Sequence, residues 1–309
     1  MRKAASILLI LGGIAIAGDW LSERGDPKRS GWQRTGHQIA VENVKDLRLL
    51  WMRRLDSSAL SSPVILGPTI TFRGVRELVF VTGGGDDLYA VDADFGTVFW
   101  KRHFDVAGKS ALSGAPVTPA IEPDEDYDPT DESEEEEGDS APMRPLYVLT
   151  SDGMLHTVRA SDGADTAAAT RLVAANGRES GLNVWGGKIQ AVTSGSERRA
   201  DRATWMDARR VRWFFDSDGR SVRGIRGGSR VWTADLGSFL RPPVVTNGVV
   251  FALSSGPTVL RALDALTGKV LFASHEEIGG TDSYVALANG HVCFTAQNSL
   301  LCYGIPIER

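Results

Sequence analysis

At 309 residues the chain has room for one or two ordinary domains; its 42% hydrophobic content is ample for a core, and 34 glycines suit a turn-dense all-β protein. A formal charge of −5 and the lack of any recognition motif argue against a nucleic-acid partner. No His or Cys cluster stands at ligand spacing, which argues against zinc.

Met1-Arg-Lys, the apolar run from Ala4 to Ile16 and the triplet Ala15-Ile-Ala17 read as the three parts of an export signal cut before Gly18. The apolar run falls short of the ~20 residues a helical membrane span needs. Gly18, rather than Cys, follows the cut, which argues against a lipid anchor; no other segment has the length to cross a membrane. The expected domains are a signal peptide at 1–17, an extended segment at 18–46 and a repeat domain at 47–309. One short helical turn is expected between Val41 and Leu47. The expected location is the periplasm or the cell exterior.

Two distant stretches of the repeat domain share one pattern: Leu88-Tyr-Ala-Val-Asp-Ala-Asp-Phe-Gly-Thr-Val-Phe-Trp100 and Leu260-Arg-Ala-Leu-Asp-Ala-Leu-Thr-Gly-Lys-Val-Leu-Phe272. A short apolar strand runs into an Asp, turns at a Gly and leaves as a second strand ending in a large aromatic. Self-similarity of this kind marks a repeat architecture. Ala90 and Ala262 are small where a neighbouring ring must lie flat, and Asp92 and Asp264 form the turn. Gly96 and Gly268 supply the positive φ of that turn, and Trp100 and Phe272 dock one sheet on the next. Weaker copies put Thr157, Trp205 and Cys302 in the Ala position. The five anchors are 67, 48, 57 and 40 residues apart, each step suiting one four-stranded blade, with an insertion in the first. Gly186-Gly187, Asn247-Gly248 and Asn289-Gly290 mark hairpins between apolar runs. The last repeat has only three strands, and Leu47–Leu55 is expected to supply its fourth, closing the ring and removing exposed edges. The pattern predicts an all-β propeller of about five four-stranded blades.

Charge is segregated along the chain. From Glu122 to Asp139 there are twelve Asp or Glu and no Lys or Arg, which reads as a solvated, disordered insert over 122–140. Asp124, Asp126, Asp128 and Glu135 approach calcium-loop spacing, but Pro129 stands where that loop needs Gly. The basic excess gathers on the third expected blade, from Arg198 and Arg199 through Arg209, Arg210 and Arg212 to Arg226 and Arg230. Opposite signs suggest that the insert competes there with an anionic partner. Cys293 and Cys302 flank the turn Gln297-Asn298 and face each other as the closer kind of antiparallel pair. Either a cross-strand disulfide or two buried thiols fits that geometry.

The docking pattern resembles the tryptophan-docking repeat of the pyrroloquinoline-quinone (PQQ) type β-propellers, the superfamily of quinoprotein alcohol dehydrogenases and their non-catalytic relatives. Gly25–Gln33 and Val41–Trp51 are similar to the start of such chains, and Leu301–Glu308 to their close. The catalytic members are larger. They hold PQQ over a Ca²⁺ with carboxylate and Asn ligands, a catalytic Asp, an Arg on the quinone, a Trp platform and often two adjacent cysteines. This chain has no adjacent cysteine pair, and the pattern fades between 164 and 235. No catalytic, cofactor-binding or metal-ligating residue is therefore expected. The resemblance implies a non-catalytic binding or scaffold module that meets a protein partner or periplasmic ligand at one end of the ring. The alternatives are a shortened or degenerate PQQ- and Ca-dependent dehydrogenase and a glycan-binding propeller.

Overall fold

The structure, a computed structural model, describes residues 18–36, 38–106, 116–123, 144–175, 179–193, 202–237, 239–275 and 278–306. The signal region and most of the acidic insert, with its calcium-like spacing, lie outside the described residues. Apart from a 3-10 turn at Val44–Asp46, the regular structure described is entirely β.

Six sheets follow one another along the chain. Blade 1 is Val64–Thr71, Gly74–Gly83, Asp87–Asp92 and Val98–His103; blade 2 is Ala120–Ile121, Pro145–Leu149, Met154–Arg159 and Thr170–Arg171. Among the described residues blade 3 comprises Glu179–Trp185 and Lys188–Thr193. Blade 4 is Ala203–Met206, Arg212–Ser217, Ser221–Arg226 and Ser229–Asp235; blade 5 is Val244–Thr246, Val249–Ser255, Thr258–Asp264 and Val270–Ala273. Blade 6 is Ala286–Ala288, His291–Ala296 and Ser299–Gly304, completed by Arg48–Arg54. Within each blade consecutive strands pair antiparallel, so the first strand is the inner edge and the last the outer. Blades bury both faces against their neighbours, which explains continuous apolar runs such as Leu78-Val-Phe-Val81 and Val249-Val-Phe-Ala-Leu253 in second strands.

Among the described residues there are six sheets where about five blades were expected, five of them with at least four strands, and the blade anchored on Trp205 is misplaced by the sequence reading. Trp205 lies on the inner strand of blade 4, paired with Trp213. The small residue of that blade is Gly224, opposite Trp232. Ala90 and Trp100 are ten positions apart, whereas Gly224 and Trp232 are eight, because Gly227-Gly228 makes a tighter turn. The Gly186-Gly187 hairpin stands alone as blade 3.

Arg48–Arg54 pairs with Ser299–Gly304, with Trp51 opposite Cys302, so blade 6 joins both ends of the chain. Cys293 and Cys302 also lie opposite each other in blade 6 and are joined by a disulfide. The inner strand of blade 6 packs on that of blade 1. Apolar clusters run through blades 5, 6 and 1, between blades 1 and 2, between 2 and 3, and between 4 and 5. Among the described residues no such cluster crosses from blade 3 to blade 4.

Candidate functional site

The docking residues repeat one geometry at three joints. The Nε1 of Trp51, Trp100 and Trp232 donates to the carbonyl of Ala93, Ala160 and Ala265 at 2.7, 3.1 and 2.9 Å, each acceptor lying on the following blade. Beneath the three rings lie Gly96, Gly163 and Gly268, where a Cβ would sit 2.5, 2.9 and 2.5 Å from ring carbons. These glycines also have positive φ, so any side chain there is doubly excluded. Ala90 lies opposite Trp100 and Ala262 opposite Phe272. Asp92 and Asp264 close the turns through Oδ1, which accepts the backbone N–H of Asp94 and Phe95 in one and of Leu266 and Thr267 in the other. Phe272 is partly buried, with its ring 6.2 Å from that of Tyr303 in blade 6. These residues hold the ring together and present no chemistry of their own. Trp51 and Trp232 complete the docking set that the sequence pattern marks only at Trp100 and Phe272.

The space enclosed by the inner strands is filled by the chain itself. Trp20 exchanges backbone hydrogen bonds with Ile65 in blade 1, and Leu21 O accepts from Ile121 N in blade 2. Asn183 Nδ2 in blade 3 donates to Pro27 O, and Thr204 N in blade 4 donates to Ser30 O. Trp32–Gln33 adds a short parallel strand inside blade 5, and Gln33 Nε2 donates to Leu287 O in blade 6. Residues 18–36 thus bond to the inner strand of all six blades. Trp20 and Arg24 are fully buried, and Glu23 and Asp26 nearly so. Two ion pairs lie inside the plug, Arg29 with Glu23 at 2.7 Å and Arg34 with Asp26 at 3.8 Å, while Arg24 Nη2 donates to Pro243 O, next to the inner strand of blade 5, at 3.3 Å. A polar segment survives burial here because its backbone is bonded to every inner strand and its charged groups are paired or hydrogen-bonded, although Trp20 Nε1 and Arg29 Nε are buried without a hydrogen bond.

Elsewhere the described surface carries an open, shallow groove beside Arg102, His156 and Asp165, and two further features. A cavity of about 60 Å³ lies between blades 1 and 2 beside Asp86, Phe104, Leu149 and Ser151, large enough for a few waters only. Blade 4 is strongly polarised. At one end Asp216 takes Arg202 and Arg223, and Asp235 takes Arg220. At the other, Arg209, Arg210, Arg212, Arg226 and Arg230 are all exposed. Arg226 stacks over Trp213 at 5.1 Å, which fixes it without neutralising it. Asp207, the acid of that turn, is spent on the backbone N–H of Arg209 and Val211 and on Trp213 Nε1. The turn from inner to second strand lies at this end in every blade. The acidic insert interrupts that same turn in blade 2 and so roots on the face that carries the exposed arginines.

Residues 169–292 match the family described as outer membrane protein assembly factor BamB. No curated protein matches the chain by sequence. Solved structures similar to it include BamB from Moraxella catarrhalis, at 11% identity over 84% of this chain and 99% of that one, with a TM-score of 0.32. Quinohemoprotein alcohol dehydrogenase from Comamonas testosteroni shares 11% identity over 94% and 81%, with a TM-score of 0.40. A europium-containing methanol dehydrogenase shares 12% over 93% and 98%, with a TM-score of 0.38. The sheets and the docking geometry repeated at their joints are those of a β-propeller with PQQ-like repeats, and the family match lies within it, over residues 169–292.

Proposed function

We propose that the protein is an exported, non-catalytic binding module that engages a protein partner through one face of its ring. The observation that carries this reading is the plug. A ligand on the axis would have to displace residues 18–36 from all six inner strands. PQQ with Ca²⁺ fits poorly here. Among the described residues no three His, Cys, Asp or Glu side chains are arranged to hold a metal ion, and the space inside the ring is taken. The family match over 169–292, to proteins named for outer-membrane assembly, supports a partner that is itself a protein.

The face with the exposed arginines of blade 4 is the best candidate for contact. Loops from every blade converge at a propeller end, where binding residues collect. Five exposed guanidinium groups favour an acidic segment of the partner, and the chain's own insert carries the same charge as that partner.

Two experiments test the reading. Purified protein supplied with PQQ, Ca²⁺, alcohols or sugars and an artificial electron acceptor should reduce no dye; quinone-dependent turnover overturns it. Poly-L-glutamate should bind the parent weakly at low salt and a variant lacking 122–139 more tightly. The gain should fade toward 0.1 M salt, where surface charges act over only ~10 Å. Equal binding and equal salt dependence in parent and deletion would remove the arginine face from the account.

A further inference from the structure

The described part of the plug begins beside a negatively charged cluster at the joint of blades 6 and 1. The backbone N–H of Gly18 donates to Oδ1 of Asn289, in the first turn of blade 6, at 2.6 Å. Beside Asn289 stand Glu77 of blade 1, His291 of blade 6 and Asp94 of the outer turn of blade 1. His291 Nδ1 lies 3.3 Å from Glu77 Oε1, and its Nε2 lies 3.6 Å from Asp94 Oδ1. Glu77 Oε1, Asn289 Nδ2 and His291 Nδ1 are all buried without a well-formed hydrogen bond. Two carboxylates against one imidazole leave the cluster negative even when His291 is protonated. Asn289 Nδ2 and protonated His291 Nδ1 are donors turned toward Glu77, so what the cluster offers a cation is its net negative charge and the acceptor Asn289 Oδ1.

A side chain at residue 18 would have to displace the buried side chains of Thr35 and Gln33. A Cβ there would lie 2.7 Å from Thr35 Oγ1 and 2.9 Å from Gln33 Nε2. The next residue looks elsewhere: Asp19 accepts from Gly67 N at 2.6 Å and from Arg144. Immediately before Gly18 stands Ala15-Ile-Ala17, the small-x-small pattern of a cleavage site.

We propose that the chain is cut between Ala17 and Gly18 and that the freed Gly18 ammonium docks on Asn289 within the Glu77–His291–Asp94 cluster, locking the plug in the ring. Water adds across the Ala17–Gly18 peptide bond under an export-linked endopeptidase; the new carboxylate leaves on Ala17 and the amine takes a proton. A neutral group with one N–H becomes a cation with three, bonded to Asn289 Oδ1 and beside a cluster that carries net negative charge. Removal of the leader is then a step in assembling the axis. The proposal stands apart from the binding role argued above and does not depend on it.

The test uses the exported full-length chain and an insertion variant with one extra alanine between Ala17 and Gly18. Intact mass should show the parent beginning at Gly18 and the variant one alanine longer. Thermal unfolding should show the parent melting higher, by on the order of 2 °C or more. Asn289→Ala should erase the difference between the two forms, while the milder Asn289→Asp, which keeps the acceptor, should preserve it. A mature chain that begins elsewhere, or equal melting of the two forms with Asn289 intact, overturns the proposal.

Discussion

Single side chains decide how the blades meet. An indole that fills the space above a glycine and donates to a backbone carbonyl on the next blade combines apolar burial with a fixed direction. Trp232, 9% exposed over Gly268, should cost about 3–5 kcal/mol when truncated to Ala, and half-buried Trp51 about 3 kcal/mol, in denaturant unfolding. Gly163→Ala should destabilise as clearly although it adds a single methyl, since the added carbon meets the Trp100 ring and φ is +74°. A second residue-scale effect belongs to His291. Burial opposes its charged form, but Glu77, with Asp94 and Asp92, outweighs burial and raises its pKa above the ordinary imidazole value. The imidazolium binds its proton more tightly folded than unfolded. Its stabilisation is therefore full below about pH 6.5 and is lost as pH rises through the raised folded value. Unfolding followed from pH 6 to pH 9 should show stability falling with pH, with a shallower slope in His291→Gln. A flat profile in the parent would contradict this assignment.

At the level of elements, the plug makes up for an incomplete ring. Among the described residues blade 3 has two strands where the others have at least four, and no apolar cluster joins it to blade 4. The N-terminal segment spans that joint, with Pro27 bound to Asn183 and Ser30 to Thr204. Trp20→Ala should therefore loosen more than its own neighbourhood. The expected result is a loss of about 3–5 kcal/mol together with faster proteolysis between blades 3 and 4. Unchanged cleavage there would mean that the plug is ornamental to that joint. Little of this was legible beforehand. The four-stranded repeat, the closing strand and the tight hairpins follow from period-two patterning and Asn-Gly turns, which are local signals. The plug carries neither, for its hydrogen bonds run to strands up to hundreds of positions away, and its Glu23, Arg24 and Asp26 look like surface residues. Blade 4 was misread for a related reason: Trp205-Met-Asp-Ala208 imitates the docking pattern, while the true one was shortened by a Gly-Gly turn.

For the whole molecule, the proposed binding role assigns contact to the faces of the ring, since its axis is filled by its own chain. The polarised blade 4 and the acidic insert set opposite charges on one of them, and that face is where a partner is expected. Everything in this account rests on the plug being seated in solution, and backbone hydrogen exchange reads that directly. The amides of Trp20, Ile65, Ile121, Thr204 and Val245 each take part in a bond between the plug and an inner strand. A seated plug predicts that all five exchange as slowly as second-strand amides such as those of Phe80 and Phe251, and that they lose protection only with global unfolding. Exchange at the rate of exposed loops for these amides, with the second strands still protected, would show an open axis and contradict the account.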